Sequence, residues 1–461
     1  MTQLKENHVM KTHIKQFILA NSLIGLIALA GTANAEIMSV TVGSSQPFDG
    51  ANGYQYVEAI MNGTVERDDG TLGHYSVPVI LIHPDDGGNG AAVVDIVNTT
   101  LIQSGWINEW LIGPYGLVTT GDYLFEEGYT YLGVQWDKQT TDAFGPTPTE
   151  GGNHLAYGSI EEFEDAFEIL RDAARFLRDP VAFDGFTLPA SVDVVISAGY
   201  SQSGTVQNAM VRQGEDYADE ELLFDGHVVG VAGSNCNDLD GSFPGFSLCD
   251  SSPPDDGARI ITIEAQTDVE FFEFFASPLT RFPENPNYRR YELAGVSHIP
   301  KVYAVFHPAQ NPADPSPVFR GAYQNLLAWT LWDIPAPPSM FLDGTINPDG
   351  SLDTVYDNDG NIAGGLRLPH MAAPLGTYTG MWFAGELIFE LISGEFIPFD
   401  DADLAERYPN PGSYVSRVAQ AAESLFEDRY IIESDRDAFV TAAAQSDIGK
   451  RSDRRPTLNL P

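Results

Sequence analysis

Residues 191–206 read Ser-Val-Asp-Val-Val-Ile-Ser-Ala-Gly-Tyr-Ser-Gln-Ser-Gly-Thr-Val. An apolar, β-branched run (Val192, Val194, Val195, Ile196) stops at Gly199, and residues 206–212 beyond the turn have helical character. Strand, sharp turn of small residues, then helix is the setting in which a G-x-S-x-G pattern acquires chemical meaning. Such a turn holds one serine in a strained conformation with its hydroxyl above the sheet, while the small flanking residues let strand and helix pass closely. Here that serine is Ser201, two positions after Gly199; Ser203 stands at the last glycine of the pattern and Gly204 follows. A Gly/Ser-rich strand–helix loop would give the same five letters, but the flanking strand and helix favour a nucleophile.

A serine hydroxyl attacks only when a base takes its proton, and that base needs a third group to fix its tautomer. In α/β-hydrolases these follow in the order serine, acid, histidine. His298, in Ala-Gly-Val-Ser-His-Ile-Pro, lies just past the last strand-like run at 288–293 and is the candidate base. Of the other histidines, His8 and His13 fall in the leader, and His74, His83 and His227 lie in strand text. His307 lies in a Pro-rich stretch, and His154 and His370 stand out of order. The strand at 259–264 runs into Ala-Gln-Thr-Asp268, which makes Asp268 the candidate acid; Glu264 is its rival, and Asp238 and Asp240 are weaker options. A tetrahedral oxyanion also needs backbone donors. The amide of Gln202 follows the nucleophile, and Thr99 or Thr100 follows the strand at 91–97.

The rest of the chain fits a sheet enzyme. Residues 75–83, 91–97, 129–136, 227–232, 259–264 and 288–293 read as strands, with edge-like alternation over 37–65. The clearest helix places Phe163, Ala166, Phe167, Leu170, Ala173, Ala174 and Leu177 on one face; Ser159 and Glu162 suggest a capping box and Pro180 ends it. Strands alternating with helices predict a mostly parallel sheet covered on both faces. After residue 335 a Gly/Pro/Asp-rich stretch runs to about 380, and helices are expected at 413–427 and 434–445. Asp357-Asn-Asp359-Gly-Asn361 lacks the remaining ligands of a calcium loop and reads as a polar hairpin turn. Trp106 and Trp110 lie in an aromatic loop that suits simple packing or an acyl pocket.

Residues 1–35 have the form of a secretory signal peptide. Lys11 and Lys15 precede a short apolar run that ends in Ala33-Asn-Ala35, so cleavage after Ala35 is expected, with a periplasmic or secreted product and no membrane anchor. The net charge of −41 opposes nucleic-acid and anionic-membrane binding and suits a protein kept soluble in salt. In an exported chain Cys236 and Cys249 are expected to pair; no second Cys/His cluster suggests a metal, and the chemistry calls for no cofactor.

With these residues in hand, the chain resembles a bacterial family of secreted α/β-hydrolase domain proteins. The resemblance is carried by Val94-Asp-Ile-Val-Asn98, Gly199-Tyr-Ser-Gln-Ser-Gly204, Phe224-Asp-Gly-His227 and Ala294-Gly-Val-Ser-His298. It continues through Asp359-Gly-Asn-Ile-Ala-Gly-Gly-Leu-Arg-Leu-Pro369 and a helix bearing Tyr414 and Arg417. It implies an α/β-hydrolase fold: a core over 36–335, with 336–461 an extension of the same domain packed on it. It also implies Ser201 as nucleophile and His298 as base. Where the family often has Arg after the Ser-Gly of the turn, this chain has Thr205, so a role for that Arg does not carry over. The expected activity is hydrolysis of a small or polymeric carboxylic ester. A lactonase, a polyester-cleaving enzyme, a peptidase and a non-catalytic binding protein on the same scaffold are the alternatives.

Overall fold

The computed structural model describes residues 39–67, 70–97, 122–138, 159–180, 184–218, 221–239, 246–249, 252–254, 257–275, 277–283, 285–302 and 305–450. Residues 1–35, expected from the sequence to be a signal peptide, lie outside them. Residues Ile37–Pro461 pack as one compact unit. Its centre is a ten-stranded sheet. Numbered in chain order, the strands are β1 (Ser39–Pro47), β2 (Tyr54–Glu66), β3 (Leu72–Pro84), β4 (Ala91–Ile96) and β5 (Thr130–Val134). They continue as β6 (Ser159–Ile160), β7 (Val194–Tyr200), β8 (Gly226–Gly230), β9 (Arg259–Ala265) and β10 (Tyr288–Leu293). The spatial order is β1-β2-β3-β5-β4-β7-β8-β9-β10, with β6 beside β3. Pairing is antiparallel from β1 through β3 to β5 and parallel from β5 to β10.

The parallel strands are buried on both faces, as their β-branched runs require. Along β7 the side chains of Val194, Ile196, Ala198 and Tyr200 enter one core, and Val195 enters the other. Helix α1 (Asp165–Arg178) and helix α2 (Gln202–Gln213) cover the second face through Phe167, Ile169, Leu170, Val206 and Met210. The short helix α3 (Gln266–Glu270) follows β9. Helix α4 (Ser316–Trp332) covers the first face with Val318, Phe319, Tyr323 and Leu326.

Two local details differ from the sequence reading. Ser159 does not cap a helix: with buried Ile160 it adds a short strand to β3, and α1 begins at Asp165, whose carboxylate bonds the Glu162 N–H and Arg67. The edge pairing of Tyr75 with Ile160 takes the backbone that a capping box would use. Helix α4 leaves no amphipathic signature, because it is buried nearly all round, from Ser316 to Trp329, and so shows no polar stripe.

Beyond residue 335, Leu342, Ile362, Leu366, Met371 and Tyr378 pack in the same core as β7 and α4, as do Tyr430 and Ile431. Helices α5 (Pro411–Glu427) and α6 (Glu433–Gln445) are the last two helices among the described residues. Residues 357–361 form a turn, in which the Asp357 N–H donates to the Asn361 carbonyl. No helix among the described residues is long and apolar enough to cross a membrane.

Candidate active site

The turn between β7 and α2 is strained as its sequence suggests. Ser201 sits at φ 55°, ψ −115°, a conformation a side chain adopts only when its surroundings enforce it. Its N–H donates to the Gly230 carbonyl at 2.8 Å, and its carbonyl accepts the Thr205 N–H at 3.0 Å. Close packing explains the small residues. A Cβ on Gly199 would lie 2.7 Å from the Ser203 backbone, and one on Gly204 would lie 2.9 Å from the Gly230 oxygen. Ser203, fully buried, makes use of its extra atoms: its Oγ accepts the Tyr200 N–H at 2.9 Å.

Three side chains from distant parts of the sequence meet at this turn. Ser201 Oγ lies 2.8 Å from His298 Nε2, and His298 Nδ1 lies 2.6 Å from Asp268 Oδ1. Asp268 is fully buried and His298 only 3% exposed. A carboxylate can only accept, so Nδ1 carries the ring proton and Nε2 is left to receive the serine proton. The backbone fixes both groups. Asp268 Oδ2 accepts the Ala265 N–H at 2.7 Å, and the His298 N–H donates to Thr267 Oγ1 at 2.9 Å. Thr267 Oγ1 in turn donates to the Gly380 carbonyl at 2.5 Å. Tyr200 donates its hydroxyl to the His298 carbonyl at 2.8 Å, and Phe275 stacks on the imidazole with centroids 4.7 Å apart. Thr267, Tyr200, Phe275 and Gly380 were not legible as site residues; only the place of Thr267 beside Asp268 hinted at one of them.

The rival acids point elsewhere. Glu264, on β9, faces away from His298: its carboxylate accepts the Gly233 N–H at 3.1 Å and lies 3.8 Å from Arg290. Burial pushes its carboxyl well above the usual carboxylate range, with Arg290 opposing and the charge of Asp268 adding to the rise. Asp238 accepts a hydrogen bond from Ser247 at 2.6 Å. Asp240, His154, Trp106 and Trp110, and the oxyanion candidates Thr99 and Thr100, lie outside the described residues. Gln202 is the first residue of α2, so its amide lies in the first turn, at the positive end of the helix dipole.

The loop after β8 is bound to the site from one side. A disulfide joins Cys236 and Cys249. Within that loop the Asn235 carbonyl accepts from Asn208 of α2 at 2.9 Å, while its side chain donates to the Phe274 carbonyl at 3.0 Å. Among the described residues no three His, Cys, Asp or Glu side chains gather as a metal site would require.

Residues 50–441 match a family described as alpha/beta hydrolase domain. Among solved structures the chain is similar to a glucuronoyl esterase from Teredinibacter turnerae, at 12% identity over 46% of this chain and 48% of that one, with a TM-score of 0.24. It is also similar to the rice cell wall degrading esterase LipA from Xanthomonas oryzae, at 13% identity over 43% of this chain and 50% of that one, with a TM-score of 0.23. In both cases the chain spans about half the length of the structure it matches. No curated protein matches it.

Proposed function

The chain belongs to the alpha/beta hydrolase domain family, and on that premise we propose that it is a secreted serine hydrolase that cleaves a carboxylic ester through an acyl-enzyme on Ser201. The observation that carries this reading is the hydrogen-bonded series Ser201 Oγ, His298 Nε2, His298 Nδ1, Asp268 Oδ1, with separations of 2.8 and 2.6 Å. His298 takes the serine proton as Oγ attacks the ester carbonyl, then gives it to the leaving alcohol. In the second half it takes a proton from water, whose oxygen attacks the acyl-enzyme, and returns that proton to Ser201 as the acid is released. Asp268 holds the tautomer and offsets the charge of the imidazolium. The amides of Gln202 and Thr99 hold the oxyanion in each tetrahedral intermediate. An ester is favoured over an amide because its carbonyl is less stabilised by resonance and an alkoxide is expelled more readily than an amide anion. The leader ending at Ala35 and the Cys236–Cys249 bond support export into an oxidising compartment.

The test is hydrolysis of p-nitrophenyl esters by wild type and Ser201→Ala, together with labelling by a fluorophosphonate read by peptide mass spectrometry. Activity and a phosphonyl adduct on Ser201, both lost in the variant, are expected. An unlabelled Ser201 in folded protein would support a binding protein on a hydrolase scaffold.

A further inference from the structure

A cavity of about 300 Å³ is lined by residues from the start of α4, from α6 and from the segment 370–378. Ser201, Asp268 and His298 are not part of its lining, so it is distinct from the site described above. Its size is at the small end of the range for ligand pockets. The wall is mostly apolar and includes two aromatic rings, Tyr378 and Phe439. Tyr378 is buried, and Phe439 packs against both the main core and the cluster of α5 and α6, which fixes α6 at the cavity. Ala438, also in the lining, is exposed, so the cavity opens to solvent along α6.

Four polar side chains complete the lining: Asp314, Arg320, His370 and Asp435. Arg320 and Asp435 satisfy each other. Arg320 Nε donates to Asp435 Oδ1 at 3.0 Å and to Oδ2 at 3.1 Å, and its Nη2 also donates to Oδ1. Asp314 is served differently. Its Oδ1 accepts the Ser316 N–H at 2.9 Å and the Ser316 hydroxyl at 2.5 Å, both neutral donors. Among the described residues these bonds fall on one oxygen, so Oδ2 is the acceptor left. His370 adds no positive charge, because burial pushes its imidazole down to about 4. Two carboxylates against one guanidinium give the lining one net negative charge, beside two aromatic rings.

We propose that this cavity binds a small organic ammonium ion, a protonated primary amine on a compact apolar body. Asp314 Oδ2 accepts from the ammonium, and such a charge-assisted bond is stronger than one between neutral groups. The apolar wall takes the body, and aromatic rings in the lining favour a nearby cation. An anion is disfavoured, since it meets two carboxylates while the guanidinium is already committed to Asp435. A neutral molecule of the same shape gains nothing from the charge of Asp314. The chain as a whole, at −41, draws cations toward its surface. The proposal is independent of the serine chemistry and stands or falls without it.

The test is isothermal titration calorimetry with benzylammonium, benzyl alcohol, benzoate and ammonium chloride, on wild type and on Ser201→Ala. About 0.5 M NaCl in the buffer screens the general attraction of so acidic a chain for cations. Saturable binding of benzylammonium is expected in both proteins, about tenfold or more tighter than benzyl alcohol, the factor that a hydrogen bond to a charged group carries. Benzoate and ammonium should bind at least as weakly as the alcohol. Asp314→Asn keeps an oxygen for Ser316 but puts a donor where Oδ2 stands, and should lose that tenfold. Ala438→Trp, at the exposed mouth, should weaken binding by filling the opening, and thermal unfolding of both variants reports that they are folded. No saturable binding of benzylammonium overturns the proposal. So does benzyl alcohol, benzoate or ammonium binding as tightly, or undiminished affinity in Asp314→Asn or in Ala438→Trp.

Discussion

Asp268→Asn changes one atom of the buried carboxylate and almost none of its volume. Its two oxygens have separate duties: Oδ2 accepts the Ala265 N–H at 2.7 Å and Oδ1 receives His298 Nδ1 at 2.6 Å. An amide cannot do both. With its oxygen on Ala265, the NH2 faces Nδ1. Turned around, the NH2 would face the Ala265 N–H, leaving buried donors opposed at a cost of about 1–3 kcal/mol. The first orientation therefore holds, Nδ1 becomes an acceptor, and the ring proton moves to Nε2, where it blocks removal of the Ser201 proton. Loss of the correct tautomer at such a site lowers kcat by about 10⁴-fold, or roughly 5.5 kcal/mol at about 1.4 kcal/mol per tenfold. The assay is kcat on a short p-nitrophenyl ester, with thermal unfolding measured on the same samples. Glu264→Gln is the control: its carboxylate serves Gly233 and Arg290, so kcat should fall only a few-fold. A loss below about tenfold in well-folded Asp268→Asn would falsify the assignment of Asp268 as the group that sets the tautomer.

Three further outcomes concern stability. Replacing Cys236 and Cys249 with serine opens a bond spanning 13 positions and should cost roughly 2–3 kcal/mol, read as a lower denaturant midpoint; equal midpoints would mean the bond does not stabilise the fold. Arg290→Met removes the cation between Glu264 and Glu292 in a fully buried cluster and should cost about 3–5 kcal/mol by denaturant unfolding. A cost under about 1 kcal/mol would mean that the carboxyls are already neutral or served by Arg281. Asp172 is pushed up to about 7, chiefly by burial and then by Glu168, against the hydrogen bond from Tyr75 and the ion pair with Arg175. Between the unfolded value near 3.8 and about 7 the folded state holds the extra proton, so stability falls as pH rises through that window, by up to about 4 kcal/mol. Asp172→Asn should flatten that part of the pH profile, and parallel profiles for the two proteins would contradict the shift.

Much of the fold was legible because its signals are local. The β-branched runs of β4, β7 and β9 and the single apolar face of α1 are periodic patterns that tertiary context had no reason to override. The start of α1 and the whole of α4 were not legible, for opposite reasons. At Ser159 a local capping signal lost to strand pairing with β3, while α4 is buried on so many sides that no stripe remained to detect.

The sequence by itself determined the strained turn, because only small residues at 199, 203 and 204 permit strand and helix to approach so closely around Ser201. It also placed an acid and a histidine downstream in the order such a sheet requires. Between Glu264 and Asp268 it favoured Asp268 and kept Glu264 as the rival, since the two lie at the end of one strand and just beyond it. In the tertiary structure the two are separated by side-chain direction. Glu264 lies on the face of β9 opposite the core that receives Ile263 and Ala265, and there it meets Arg290 of β10. The chain then enters α3, and that helical turn swings Asp268 back to His298. The packing of Phe275 on His298 is likewise tertiary, because the two are brought together by the fold and share no pattern in the sequence.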